Sequence, residues 1–477
     1  MNPLIGDGLP PLFETLPPSP PPPPFPVPLE RLRADVESGG ITDVIVALPD
    51  LQGRVQGSRV APRDFAERVL EHGFDACLYL LATDVEMESR PGYATDPWGG
   101  GLGDFAIVPD PGTLRYLPWD PGTALVLGDA LDADGRPVPV APRQVLKAQL
   151  DRLAERGWRA LAGTELEFLV FRDSYQEAFE GDYRGLTTAT RFNSDYALPE
   201  VTEIDPFVRR IRTAMERTGM RVESARGECH PGQYEIVFRY DDALRTCDNH
   251  VVYKAGAKAL AAQAGVALTF MAKYDGGEGN SCHVHLSLRD GTGTPVFADD
   301  GSGSGRYGMS EHMEHFVAGQ LACMREFSLL HAPNVNSFKR LSPQAYAPSS
   351  IAWGLDNRTC PVRVVGQGES ARIEFRVPGG DANPYLSVAA IIAAGLYGID
   401  RELPLPEPTA GDAGAADLPR LPASLEEAVL AWEESEIARS VFGPDIVRHY
   451  AAAGRAELAA FSATVSDFER RRHFERG

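Results

Sequence analysis

Charged and apolar residues alternate with a period of two in several short stretches of this chain. In Thr164-Glu165-Leu166-Glu167-Phe168-Leu169, Glu165 and Glu167 share one strand face and Leu166 and Phe168 the other. Ser281, His283, His285 and Ser287 alternate in the same way with Cys282, Val284, Leu286 and Leu288. Arg372-Ile373-Glu374-Phe375-Arg376 repeats the pattern, and Glu228 and Glu235 flank a Pro231-Gly232 turn. Such alternation specifies antiparallel strands with one apolar and one polar face. Solvated faces favour Thr, Lys and Ser, whereas these carry Glu, His and Arg without Lys. Neighbouring carboxylates repel unless cations neutralise them. Glu165, Glu167, Glu228, Glu235 and Glu374 with a histidine make ligands for hard divalent ions such as Mg²⁺ or Mn²⁺. The His283-x-His285 pair alone also suits zinc hydrolysis. The surplus of carboxylates and the lack of further nearby histidines argue against that reading.

The chain has 46 Lys+Arg against 67 Asp+Glu, a formal charge of −21. That surface repels nucleic acid and anionic lipid, so neither is an expected partner. Between residues 339 and 376 the balance reverses, with Lys339, Arg340, Arg358, Arg363, Arg372 and Arg376 against Asp356, Glu369 and Glu374. Guanidinium groups grip phosphate and carboxylate through a bidentate fork. Arginines beside carboxylate-held metals are the equipment of phosphoryl transfer; a set of surface salt bridges is the plainer alternative. There is no Walker-type glycine loop and no kinase signature.

Residues 10 to 28 are dominated by proline, so 1–28 is expected as an extended or disordered tail. Residues 29–138 read as a small β-rich domain, with a strand at Thr42–Leu48 and a turn at Asp50–Arg54. Residues 139–477 read as a larger α/β unit. It opens with a helix at about 142–156 that buries Val145, Leu146, Leu150 and Leu153 and ends at Gly157. Asn383-Pro384 starts a helix from Tyr385 to Ile399, too short for a bilayer and therefore buried. Residues 424–473 are expected to be helical throughout. Six cysteines without a C-x-x-C pair read as free thiols, and no secretory signal pattern opens the sequence, so the chain is expected in the cytoplasm.

Six motifs carry a resemblance: GTELEF (163–168), PGQYEI (231–236), GNSCHVHLSL (279–288), NSFKRL (336–341), DNRTCPVRV (356–364) and RIEFR (372–376). In type and order they are similar to the glutamine synthetase family, from about residue 40 to 470. The resemblance implies an α+β fold: an N-terminal β-grasp domain before a catalytic domain built on a curved antiparallel sheet with surrounding helices. It implies a dodecamer of two hexameric rings with sites between neighbours. It also implies a chemistry: ATP phosphorylates the γ-carboxylate of glutamate, and an amine then displaces phosphate.

By position, Glu167, Glu228 and Glu235 resemble the ligands of one metal, and Glu165, His283 and Glu374 those of another, for two or three Mg²⁺ or Mn²⁺ ions in all. Gly279, Arg340 and Arg376 resemble glutamate-binding positions. Arg358, Arg363 and Arg372 resemble those holding ATP phosphates, with His285 and Ser287 near the nucleotide; Arg358 is also expected to act in catalysis. Asp50 resembles an aspartate that reaches into the neighbouring subunit's amine pocket.

Three positions depart from the pattern. Tyr346 stands where the family has a glutamate that completes an ammonium pocket, Glu278 replaces the usual asparagine, and Ser281 the usual glycine. A neutral phenol cannot replace a carboxylate as an ammonium ligand at neutral pH. The acceptor is therefore expected to be an organic amine, a polyamine or a small monoamine such as ethanolamine, in a pocket reshaped by Tyr346 and Glu278. Ammonia, as in a true glutamine synthetase, is the alternative; a non-catalytic nitrogen-sensing relative is a third. The stretch Gly411–Ala415 lacks the tyrosine on which adenylylation acts, so that control is not expected.

Overall fold

A computed structural model describes residues 25–95, 99–299, 301, 305–341 and 346–476. The first sheet contains β1 (Asp43–Pro49), β2 (Val55–Val60), β3 (Phe74–Cys77), β4 (Asp104–Pro109), β5 (Arg115–Tyr116) and β6 (Thr123–Leu131). Its order is β2-β1-β6-β4-β3, with β5 on β6 and the β1–β6 pair parallel. The second sheet contains β7 (Trp158–Phe171), β8 (Val222–Gly227), β9 (Gln233–Phe238), β10 (Asp241–Asp242), β11 (Ala267–Thr269), β12 (Cys282–Asp290), β13 (Trp353–Leu355), β14 (Val362–Val365) and β15 (Arg372–Phe375). It runs β13-β14-β15-β12-β7-β9-β8, with β10 and β11 also on β7. The sheet is mixed rather than wholly antiparallel, because β13 and β14 pair in parallel.

The helix Pro142–Ala154 buries Val145, Leu146 and Leu153, and Gly157 closes the following turn at φ 73°. The helix Pro384–Asp400 is buried along nearly its whole length, and the Asn383 side chain accepts from the Tyr385 amide at its start. It packs against Pro142–Ala154 and against the helix Glu311–Cys323. Residues 424–473 form four helices rather than one run. Ser435 caps a new helix by accepting from the Ala438 amide, Gly443 at φ 86° precedes Pro444, and a third break falls at Thr464–Ser466.

Residues 1–24 of the proline-rich segment lie outside the described residues. Its last part is not a free tail. Val27 is buried and its amide donates to the Leu114 carbonyl at 2.9 Å, while the Phe25 ring lies over the Arg115 guanidinium at 4.5 Å. Proline removes donors but leaves apolar surface that still gains from burial.

Arg143 ties the first sheet to the rest. Its buried guanidinium pairs with Asp110 at 2.6 Å, with Asp129 on β6, and with Asp248 of the helix Ala243–Gln263 at 3.1 Å. The Tyr385 hydroxyl donates to Asp248 at 2.6 Å. Removing the cation strands the buried Asp248 carboxylate, while Asp129 keeps Lys147 at 2.6 Å and Asp110 is partly open to water. Arg143→Met should cost about 3–5 kcal/mol and lower the thermal midpoint well below that of Asp110→Asn, as read by calorimetry.

Candidate active site

Sheet register gathers the charged residues. Glu167 pairs with Glu235 across β7–β9, His283 with Glu165 across β12–β7, His285 with Glu374 across β12–β15, and Arg363 with Glu374 across β14–β15. On β12, His283, His285 and Ser287 alternate with buried Cys282, Val284 and Leu286, as the sequence pattern implies. The polar face is not a solvated one, however: Glu167, Glu235 and Glu374 are 9%, 2% and 1% exposed.

Two acidic sets result. In the first, oxygens of Glu167, Glu228 and Glu235 lie within 4.8 Å of one another. Arg226 on β8 pairs with Glu228 at 2.9 Å and Glu235 at 2.7 Å, and the second Glu235 oxygen has no hydrogen-bond partner among the described residues. Burial, with the charge of Glu228, raises Glu167 to about 7. Burial, with the charge of Glu165, holds Glu235 far above the usual carboxylate range. Buried oxygens that retain protons for want of positive charge are what a divalent cation relieves, and the donor set fits Mg²⁺ or Mn²⁺.

In the second set Glu165, His285 and Glu374 lie within 4.8 Å of one another. His285 Nε2 is 3.0 Å from Glu165, and His283 Nδ1 is 3.5 Å from both Glu165 and Glu374. His285, expected beside the nucleotide, thus sits among the carboxylates together with His283. Burial pushes His283 down to about 4. Glu374 is driven up by burial, but His283 and Arg376 outweigh this and hold it at about 2. Glu374 also pairs with Arg363 at 2.6 Å, and Arg376 contacts it directly.

The remaining residues divide. Arg340 is buried and donates to the Val377 carbonyl and the Ser281 hydroxyl, each at 2.8 Å, so Ser281 supplies an anchor that glycine lacks. A Cβ on Gly279 would lie 2.3 Å from the Ala272 carbonyl and 3.1 Å from Arg340, which leaves room only for glycine. Arg372 Nε meets His285 Nδ1 at 3.1 Å. Ser287 continues the face opposite Leu161. Arg358 is exposed on the turn between β13 and β14 and is not brought to either acidic set.

Asp50 is 1% exposed, and its carboxylate accepts from the Gln52 amide, the Arg54 amide and Arg54 Nε at 3.0, 2.8 and 2.7 Å. A carboxylate so held organises the β1–β2 turn.

Tyr346 and Glu278 meet in an outer cavity of about 550 Å³ that also contains Asn193, Cys229, His230 and Asp275. Tyr346 is exposed, with its amide 3.5 Å from Glu278 Oε2. Residues 342–345 before it lie outside the described residues. The sequence reading missed Arg226, His230 and Asp275. Arg226 is two residues from Glu228 in a strand pattern too irregular to flag it, and Asp275 stands in a glycine-rich loop that carries no periodicity.

The family described as glutamine synthetase, catalytic domain, matches residues 139–473. The chain belongs to the glutamine synthetase family. It is 54% identical over 451 residues to gamma-glutamylethanolamide synthetase GlnA4 of Streptomyces coelicolor, a match covering 94% of this chain and 96% of that one. It is 34% identical to a glutamate–isopropylamine ligase of a Pseudomonas species, covering 93% and 97%. Among solved structures it is similar to "GmaS/ADP complex-Conformation 1", with a TM-score of 0.81, 29% identity, and coverage of 93% and 99%.

One consequence concerns Glu167 in the metal-free protein. The folded state keeps a proton to about pH 7 that the unfolded chain loses near the ordinary glutamate value. Stability supplied by that proton is present at low pH and is lost as pH rises through about 7. Glu167→Gln should flatten this fall, read as thermal midpoint against pH in chelator; an unchanged slope would show that Glu167 is not its source.

Proposed function

We propose that the chain is an ATP-dependent glutamate–amine ligase whose acceptor is a small primary amine, ethanolamine being the best supported. The observation that carries this is 54% identity to a gamma-glutamylethanolamide synthetase across nearly the full length of both chains. The glutamate–isopropylamine ligase supports the same class of reaction with an organic amine.

The residues support a division of labour. Glu167, Glu228 and Glu235 would hold one divalent ion, and Glu165, Glu374 and the two histidines of β12 another. Bound Mg²⁺ or Mn²⁺ would neutralise phosphate oxygens and polarise the phosphorus toward attack. Arg340 and Arg376 suit the carboxylates of glutamate. Arg363 and Arg372 suit the phosphates, and Ser287 the nucleotide beyond. An oxygen of the γ-carboxylate attacks the terminal phosphorus of ATP and ADP leaves. The amine nitrogen then attacks the acyl carbon, the C–O bond to phosphate breaks, and the amide forms. An alkylammonium ion must shed a proton before it attacks, and Glu278 in the outer cavity is the carboxylate suited to bind it there.

Tyr346 disfavours the ammonia reading, since a phenol offers no negative charge to an ammonium ion. The intact acidic sets disfavour a non-catalytic relative. Division into a β-grasp domain at 29–138 and a catalytic domain from 139 accords with the two sheets. Assembly into a dodecamer, with each site bordered by a neighbour, is inferred from family membership, as is a cytoplasmic location. No helix among the described residues is long and apolar enough to cross a membrane.

A panel of amines with glutamate and ATP, followed by phosphate release, tests the acceptor. We expect kcat/KM for ethanolamine to exceed that for ammonia by roughly tenfold or more, the scale on which a pocket reads one or two extra groups. Equal or better turnover of ammonia would overturn the assignment. Tyr346→Glu should move preference toward ammonia.

Mn²⁺ at a hundredfold excess over its Kd should stabilise the wild-type protein by about 2.7 kcal/mol. The shift should be much smaller in Glu235→Gln. An equal shift in both would remove Glu235 from the ligand set.

A further inference from the structure

The turn between Glu228 and β9 grips the loop that carries Glu278 and Gly279 at two separate points. At one end, Gln233 Nε2 donates to the Gly279 carbonyl at 2.9 Å and to Glu167 at 3.1 Å. At the other, His230 Nε2 meets Asp275 Oδ1 at 2.9 Å, while His230 Nδ1 meets the Pro231 carbonyl at 2.8 Å. The same Asp275 oxygen accepts from the Gly277 amide at 2.7 Å. His230 is 4% exposed, so its ring is fixed, and the loop is fastened to it. A Cβ on Gly277 would lie 2.4 Å from His230 Cδ2, so the loop closes directly over the ring.

The two halves of the loop differ in their other anchors. The second half has the Asn280 amide on the Ala272 carbonyl at 2.9 Å and Asn280 Nδ2 on the Met271 carbonyl at 2.9 Å, besides Gln233. The first half, which leads into Glu278, is fixed at its start by Asn336, which accepts from the Lys273 amide at 2.9 Å and donates to the Lys273 carbonyl at 2.8 Å; beyond Lys273 it is held by His230 through Asp275 and by the Lys273 side chain on the Gly277 carbonyl. Loss of the histidine contact therefore loosens Glu278 more than Gly279.

We propose that His230 is a positioning residue for acceptor recognition: through Asp275 it fixes the loop that presents Glu278 to the amine, without touching the amine itself. This deepens the proposed function and rests on its reading of the outer cavity as the acceptor site. The consequence is selective. The KM for the amine depends on the clasp, whereas the KM for glutamate and for ATP and the turnover number do not.

The test uses His230→Ala, Asp275→Ala, the double variant and Asp275→Asn in the full-length enzyme, with whichever amine the wild type turns over best. A wild type that prefers ammonia would overturn the ethanolamine assignment and still allow the clasp to be measured with ammonia. Each alanine variant should raise the amine KM about tenfold, the scale of one hydrogen bond to a charged group, with kcat and the other KM values within about twofold. The double variant should be no worse than either single one, because both break the same link. Asp275→Asn keeps the accepting oxygen and should stay near wild type. Gly277→Ala should reproduce the defect and add nothing in the His230→Ala background. Asp275 is half exposed on the surface, so its variants keep the test alive should His230→Ala fail to fold. Additive losses in the double variant, an unchanged amine KM in Asp275→Ala, or a parallel rise in all three KM values would overturn the proposal.

Discussion

Repulsion among buried carboxylates is the constraint around which the catalytic sheet is arranged. Strand register sets Glu167 against Glu235 and draws Glu165 and Glu374 toward the same pair of histidines. Left alone, such groups oppose folding, because each negative charge raises the cost of the next. The second set is balanced within the chain: Arg363 and Arg376 pair with Glu374 and keep it ionised. The first is balanced only in part. Arg226 reaches Glu228 and Glu235 from the edge strand, yet Glu167 and Glu235 still retain proton affinity far above that of free carboxylates. That imbalance gives the first set the greater appetite for an added cation. Arg226 is the cation already in place against this set.

Much of this was legible in the residue pattern because a β-strand reports its two faces directly. The alternation in 164–169, 281–288 and 372–376 placed the charged residues on one side, and the structure brings those sides together. The alternation could not report burial. Glu167, Glu235 and Glu374 read only as polar positions and are nearly inaccessible, since depth depends on what the rest of the chain lays over them. Nor could it report which histidine lies nearest the carboxylates, because one strand position carries His283 and His285 to the same side by design. Asp50 shows a related limit. Resemblance at one turn says nothing of whether the carboxylate is free, and here Arg54 and two amides consume it.

The helical regions show the same limit. The Asn383-Pro384 start was readable because a cap and a proline act locally. The run from 424 to 473 read as one helical region because its composition favours helix almost throughout. Ser435 and Gly443 break it through local hydrogen bonding and a left-handed backbone, signals shorter than the periodicity around them.

The mobile chemistry of the reaction is set against a rigid floor. Arg340 is locked by the Val377 carbonyl and by Ser281, and Gly279 can lie against it only because no side chain intervenes. The acceptor side is built differently: Tyr346 is exposed and Glu278 stands on a glycine-rich loop fastened through His230 and Gln233. Neither acidic set draws a residue from that loop. The residues that vary here from the family pattern, Glu278 and Tyr346, lie on that side, while Ser281 reinforces the floor. On the proposed function, acceptor recognition by that loop is thus separate in space from the two acidic sets, and a change of amine preference would leave them in place.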